Sequence, residues 1–98
     1  MRHYEFTEET KVTDSGITLH RIRCTKEIER LGVKVGDLGG WIEKYENLSG
    51  SAWVSGNAQV SGNARVDDNA WVSGDARVFG NARVSGDARV SGNARVYG

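Results

Sequence analysis

The most regular feature of the chain is the alternation of apolar and polar positions between Ser49 and Gly98. From Ser51 onwards the chain consists of eight consecutive six-residue units, each with an alanine and a valine two positions apart. The valines are Val54, Val60, Val66, Val72, Val78, Val84, Val90 and Val96, and an alanine stands two positions before each of them. Because side chains two positions apart lie on the same face of a strand, every Ala-x-Val triplet predicts a short strand with one apolar face.

The residues between the triplets predict tight corners. The recurring Ser-Gly-Asn or Ser-Gly-Asp contains residue types that tolerate positive φ and turn the chain. An amphipathic α-helix would need apolar spacings of three and four, whereas this segment alternates spacings of two and four. Three short strands and three corners make a triangular coil of about 18 residues, and this hexapeptide period predicts an all-β fold, a parallel β-helix. Since Ile42 and Leu48 continue the valine phase, residues 39–98 form the predicted repeat domain of about three coils.

Residues 1–38 predict a β-hairpin cap on the first coil. The β-rich stretches 3–12 and 17–24 are separated by the turn sequence Thr-Asp-Ser-Gly, and 25–31 predicts one or two helical turns between a Thr25 N-cap and Gly32. The apolar residues expected on the buried side of the hairpin are Tyr4, Phe6, Ile17, Leu19 and Ile22. Such a cap would cover the unpaired backbone groups that a β-helix leaves at its end.

The repeats resemble those of left-handed β-helix hexapeptide-repeat proteins over residues 39–98. The run VKVGDLGGWIE from Val33 to Glu43, placed between a hairpin and the hexads, narrows the resemblance to the YdcK-like group of bacterial and prophage proteins. The resemblance implies left-handed coils. It also implies a prophage product that acts as an interaction or scaffold protein, with binding or inhibition of a host protein as one form of that function.

Composition narrows the remaining functional classes. The 13 Lys and Arg balance the 13 Asp and Glu, which argues against a strongly polyanion-seeking protein. Cys24 is the only cysteine, so an intramolecular disulfide and a thiolate cluster are excluded. The N-terminus lacks the apolar core of a signal peptide, and no run of the sequence is long and apolar enough to span a membrane. We therefore predict a cytoplasmic protein with no membrane partner, no cofactor and no metal.

The outward side chains between each alanine and valine should form columns when the coils stack. The predicted interface residues are Trp53, Trp71 and Arg89 in one column, Arg77 and Arg95 below Trp41 and Gln59 in a second, Arg65 and Arg83 in a third, and the neighbouring pair Phe79 and Tyr97. Trp and Arg are enriched in interface hot spots and can make cation–π contacts. The alternative is that the N-terminal segment folds back over the tryptophan column and buries it. For the Phe79 and Tyr97 pair, an end-to-end contact and an ordinary stacked pair are both open.

The C-terminal coil carries a second prediction about assembly. The sequence shows no charged or helical segment after Tyr97 that would cover this coil. We therefore expect the coil, or the tryptophan column, to pack on a copy of the chain or on a partner protein, and the first of these predicts a dimeric or trimeric homo-oligomer.

Three other functions are alternatives. An ice- or glycan-binding flat face is the least favoured, because every threonine lies at or before Thr25. The repeat arginines could bind a polyanion, but Asp67, Asp68, Asp75 and Asp87 are interleaved with them, so we do not favour nucleic acid. Many hexapeptide proteins are acyltransferases that use a histidine as general base between two prisms. Here His3 and His20 lie in the hairpin, where we expect surface positions, and the units from Ser49 contain no histidine. The sequence thus predicts a non-catalytic interaction protein, with an acyltransferase or its remnant as the alternative.

Overall fold

The computed structural model describes residues 2–98, so Met1 of the predicted 1–38 segment lies outside the described residues. The first two strands, β1 (Tyr4–Val12) and β2 (Thr18–Cys24), precede the repeats. The remaining strands are β3 (Leu38–Ile42), β4 (Trp53–Val54), β5 (Gln59–Val60), β6 (Arg65–Val66), β7 (Trp71–Val72), β8 (Arg77–Phe79), β9 (Arg83–Val84), β10 (Arg89–Val90) and β11 (Arg95–Tyr97). Each strand of the hexads begins at the outward residue and includes the valine, as the alternation predicts.

The strands of successive coils stack in parallel and form three faces. The first face contains β3, β5, β8 and β11, the second β4, β7 and β10, and the third β6 and β9. Residues one coil apart are in register, as in the pair of Trp53 and Trp71. The prediction of an all-β solenoid of about three coils is confirmed, and residues 2–98 contain no α-helix. The left-handed sense of the coil stays a prediction.

The interior of the solenoid is filled by the two small apolar columns. From Ala52 to Val84, every alanine and valine of the hexads is at most 5% exposed. Burying a valine side chain contributes roughly 1.5–3 kcal/mol, so these stacked columns are the main stabilising feature of the repeats. The corners outside them allow close stacking because Gly74, at φ 66°, lies directly above the backbone of Gly92. Asp68 is the one non-glycine residue at positive φ among the described residues, at 57°.

The N-terminal hairpin is part of the same sheet as the first face. Strand β1 pairs antiparallel with β2, and β2 pairs antiparallel with β3, with Arg21 opposite Trp41. The predicted hairpin over 3–12 and 17–24 is therefore present in the structure. Of its expected apolar side chains, Tyr4, Leu19 and Ile22 are buried, and Phe6 and Ile17 are half-buried.

The helical turns predicted over 25–31 are shorter than expected. A 3₁₀ turn covers only Glu29–Leu31, and its N-cap is Ile28 rather than Thr25. The backbones of Ile28 and Val33 exchange two hydrogen bonds, which close the segment into a tight loop and prevent a longer helix. Gly32 ends the turn in the left-handed region at φ 69°, as predicted.

The first coil departs from the regular repeat at Asn47. A 3₁₀ turn at Tyr45–Asn47 occupies the place where later coils have a strand of the third face. The buried Asn47 amide donates from Nδ2 to the carbonyls of Gly62 and Ala64, at 3.2 and 2.9 Å. Its Oδ1 accepts from the backbone N–H groups of Glu43 and Lys44, at 3.1 and 2.8 Å. The side chain thus supplies hydrogen bonds that a strand backbone supplies elsewhere in the solenoid.

Candidate functional site

The outward columns predicted from the sequence are present as aligned strand positions. On the second face, Trp53 pairs with Trp71, and Trp71 pairs with Arg89. The other aligned sets are Trp41, Gln59, Arg77 and Arg95 on the first face, and Arg65 and Arg83 on the third. All five repeat arginines are exposed. Their use as an interface stays a prediction.

Trp53 is not on the surface, and the prediction of an exposed two-tryptophan ladder is wrong at this position. Its side chain is 1% exposed and lies near His3, with the two ring centroids 6.1 Å apart. A Cβ on Gly39 would lie 2.7 Å from the Trp53 ring, so strand β3 packs directly on it. Trp53 is therefore buried because His3 of the N-terminal segment and strand β3 both lie against it, in agreement with the alternative given above.

Trp71 and Arg89 retain a partly accessible aromatic and cationic surface. Trp71 is half-buried, and its indole N–H donates to the Ser55 hydroxyl at 3.1 Å. The Arg89 guanidinium carbon lies 5.7 Å from the Trp71 ring centroid, within the range of a cation–π contact. The predicted contact between this arginine and the tryptophan column is therefore present.

Phe79 and Tyr97 form a stacked pair on the first face. Their ring centroids are 5.3 Å apart and the planes meet at 19°. Phe79 is half-buried, and Tyr97 is 70% exposed. The pair is placed where the sequence predicts, one coil apart, and its use in an end-to-end contact stays a prediction.

Three of the repeat aspartates accept hydrogen bonds from residues one coil away. Asp75 and Asp87 accept hydrogen bonds from corner asparagines one coil away, at 3.3 and 3.4 Å. Asp68 accepts from the backbone N–H of Gly86 at 3.2 Å. Within residues 2–98, the ion pairs closer than 4.0 Å involve hairpin residues, Arg21 with Glu9 and Arg23 with Glu5. The repeat arginines are therefore not held by the interleaved aspartates.

The two histidines differ in their surroundings. His3 is 6% exposed, so its predicted surface position is wrong; its Nε2–H donates to the carbonyl of Ala52 in the first coil. Burial lowers the pKa of His3, the hydrogen bond to Ala52 raises it, and the charges of Arg30 and Lys26 lower it further. His20 is half-buried and stacks on Phe6, with ring centroids 4.4 Å apart.

The N-terminal segment also donates hydrogen bonds to the end of the solenoid. The donor and acceptor pairs include His3 with Ala52, Tyr4 with both Tyr45 and Leu48, and Arg30 with Ser51. Each acceptor is a backbone carbonyl of the first coil, and an unpaired buried carbonyl would destabilise the fold. Burial raises the pKa of the Tyr4 hydroxyl well above its usual range, in keeping with its role as a donor in this contact.

A cleft lies between the hairpin turn and the first face, and the sequence did not predict it. Its volume is about 440 Å³. Lys11 and Asp14 line it from the hairpin, and Arg77, Phe79 and Arg95 line it from the solenoid. The arginines were singled out from the column pattern, but Lys11 was not, because only the fold of the hairpin over this face brings it there. Burial lowers the pKa of Lys11, and the positive charges of Arg77 and Arg21 lower it further.

Neither a metal site nor a membrane-spanning segment is found in the described part of the chain. No three His, Cys, Asp or Glu side chains in residues 2–98 come together in a way that could hold a metal ion. None of the helical turns there has the length and apolar character needed to cross a membrane.

Comparison with known proteins identifies the repeats. The model of the YdcK beta solenoid repeat family matches residues 58–74, 70–86, 76–90 and 88–98. No curated protein and no solved structure matches the chain. The matched residues cover the second and third coils of a solenoid whose strands stack in parallel on three faces. With these repeats over 58–98 and a β-solenoid fold, the chain fits a YdcK-like repeat protein.

Proposed function

We propose that this chain is a non-catalytic interaction protein, in which a rigid β-solenoid displays side chains and the N-terminal hairpin caps its first coil. The capping role is supported by the donors that His3, Tyr4 and Arg30 direct at first-coil carbonyls. The resemblance of the hexads supports left-handed coils. A cytoplasmic location and a prophage origin are further proposals that rest on the sequence alone.

The observation that carries this proposal is that the outward arginines are exposed and, among the described residues, unpaired. All five are exposed, and none has an ion-pair partner within 4.0 Å among residues 2–98. A strand solenoid with unpaired cations on every face is suited to contact a complementary surface, because such charges steer association and select partners. We propose a protein partner with an acidic surface, which a host protein bound by a phage product would satisfy.

The second face is the surface we propose for this partner. Trp71 and Arg89 combine an aromatic body with a cation at one partly exposed place, and these residue types carry much of the energy at interfaces. The test is a pull-down from the source cells with the variant R89Q and the matched control R83Q. Loss of one defined partner with R89Q but not with R83Q is the expected result. Equal recovery with both variants would contradict the use of this face.

The last two strands, β10 and β11, support the proposal of self-assembly with a second copy. The interior residues Val90 and Val96 there are half-buried and Ala88 and Ala94 are exposed, whereas their equivalents one coil before are buried. Tyr97 adds an exposed aromatic ring beside this apolar surface. Two copies packed through these surfaces would bury both apolar interiors, which is the self-complementary contact of a symmetric dimer.

Sedimentation velocity at micromolar concentration tests this assembly. The wild type is expected to sediment as a dimer, and V96D as a monomer, since a carboxylate cannot be buried without a partner. The control is V12D, because Val12 is 66% exposed in the hairpin. Circular dichroism and the free energy of unfolding of V96D separate loss of assembly from loss of fold. A wild type that is monomeric under these conditions would rule out the proposed dimer.

The acyltransferase alternative remains open to a direct experiment. Both histidines lie in the N-terminal segment, and His3 makes a hydrogen bond within the fold. Calorimetry with acetyl-CoA would support the enzyme if it showed saturable binding.

A further inference from the structure

The cleft between the hairpin turn and the first face has the form of a small-molecule site. The hairpin contributes 11–15 and Ile17, and the solenoid contributes outward residues of three successive coils, so the walls come from distant parts of the chain. Its volume of about 440 Å³ lies within the range of roughly 300–1,000 Å³ that is usual for ligand pockets. The fully buried Leu19 pairs with Lys11 across the hairpin, which anchors this wall.

The charge of the cleft is strongly uneven. Lys11, Arg77 and Arg95 line it together, and Asp14 is the one carboxylate among the lining residues. None of the three cations makes an ion pair within 4.0 Å or a side-chain hydrogen bond within residues 2–98, whereas Arg21 nearby is paired with Glu9. The Lys11 ammonium does lie over the Trp41 ring, 4.5 Å from its centroid, but this contact supplies no negative charge. Like charges held together without counter-ions repel one another, and a bound anion would remove that repulsion. The lowered pKa of Lys11, caused by burial and then by Arg77 and Arg21, agrees with this unbalanced positive field.

The uncharged lining completes the site for an organic anion. The hydroxyl side chains of Thr13, Ser15 and Ser61 line the cleft and can donate hydrogen bonds to anionic oxygens. Phe79 offers an aromatic surface in the same cleft, and its stacking on Tyr97 fixes the ring. A guanidinium group pairs well with phosphate because its donors form a planar fork that matches two oxygens.

We propose that this cleft binds a small phosphate-bearing organic molecule, with its phosphate between Lys11, Arg77 and Arg95 and its carbon skeleton against Phe79. This site goes beyond the protein-binding role proposed above and does not depend on it, because its residues lie on the first face and in the hairpin.

Isothermal titration calorimetry tests the site with defined probes. These are adenosine 5′-monophosphate, glucose 6-phosphate, inorganic phosphate and citrate. We expect saturable binding of at least one organic phosphate, tighter than that of inorganic phosphate or citrate. The variant R77Q/R95Q should weaken that binding by about tenfold or more, because each arginine provides a charge-assisted hydrogen bond. K11M should weaken it in the same direction.

The matched control is R65Q/R83Q, which makes the same change at the equivalent repeat positions of the third face, away from the cleft. It should bind the probes like the wild type. An equal loss of binding in both double variants would overturn the proposal. It would also be overturned if neither organic phosphate showed saturable binding, or if citrate bound more tightly than both of them. If a single-stranded oligonucleotide bound and the organic phosphates did not, the arginines would form a polyanion-binding surface and not a small-molecule site.

Discussion

Replacing Asn47 tests whether a single side chain takes the place of a strand in the first coil. The buried amide makes four hydrogen bonds to backbone groups, two as acceptor and two as donor. In N47A, the carbonyls of Gly62 and Ala64 and the N–H groups of Glu43 and Lys44 all lose this partner. The contact to Ala64 is fully buried, whereas the other three are partly accessible to water.

The expected loss follows from that difference in burial. A buried polar group left without a partner costs about 1–3 kcal/mol, and a hydrogen bond that water can replace contributes about 0.5–1.5 kcal/mol or less. We therefore expect N47A to lower the free energy of unfolding by about 2–4 kcal/mol. The matched control N63A removes an exposed corner amide that donates to Asn81 at 3.4 Å and accepts from the Lys44 ammonium at 3.1 Å. Because water can replace both exposed contacts, this variant should cost less than about 0.5 kcal/mol.

Urea denaturation followed by tryptophan fluorescence measures both variants, with an unchanged slope as evidence that the denatured state is the same. A third variant, N47D, keeps the acceptor oxygen but places a carboxylate against two carbonyls. Its folded-state pKa should be raised above the unfolded value. Its stability should therefore be greatest below the unfolded pKa, near 4, and should decrease as pH rises through the folded pKa. If N47A were as stable as N63A, the Asn47 amide would not be supplying the hydrogen bonds that a strand backbone supplies in the later coils.

Three further predictions concern the corners, the first coil and pH. G74A should lower the free energy of unfolding by about 1 kcal/mol or more beyond the effect of G86A. Both glycines have φ near 65°, but only at Gly74 would an added Cβ meet backbone of the next coil, at 3.0 Å. Chemical denaturation compares the two variants, and equal losses of stability would contradict close stacking of the corners. W53A should cost about 3–5 kcal/mol because the ring is fully buried, and W71A clearly less, as thermal unfolding would show. Burial lowers the pKa of His3 in the folded state. The contribution of the neutral His3 to stability is therefore fully present above the unfolded-state pKa of about 6.5, and it is lost as the pH falls below that value. H3Q should flatten this part of the profile of stability against pH, and an unchanged profile would exclude His3 as its source.

The repeats could be predicted from the sequence because each residue there meets the same neighbours in every coil. The valines and alanines face inward by strand alternation alone, and the strand register follows from the constant six-residue period. The stacked pair of Phe79 and Tyr97 and the contact between Arg89 and Trp71 followed from the same register. No tertiary information beyond the stacking of coils was needed.

The first coil could not be predicted in the same way. Trp53 and Trp71 stand in nearly identical hexads, yet the first is buried and the second is half-buried, because His3 and strand β3 pack against the Trp53 ring. Asn47 lies directly before Leu48 in the apolar phase, and the period gives no signal that its amide turns inward to bind the next coil. These outcomes depend on contacts between segments distant in sequence, which periodicity does not encode.

The proposed cleft lies where the hairpin meets the repeats and not within the regular hexads. Within the hexads, each outward side chain has one equivalent above and below it, so a column can present a uniform surface but cannot by itself build a concave site. Concavity arises where the hairpin meets the first face, and there Lys11 joins arginines that a column alone would leave on a flat wall. Moving those arginines to another face would preserve the solenoid, because outward positions do not contribute to its core. It would remove the positive charge from the cleft, since only the first face has the hairpin beside it. If the cleft binds the proposed phosphate, substitutions at Arg77 and Arg95 should weaken that binding without changing the stability of the fold.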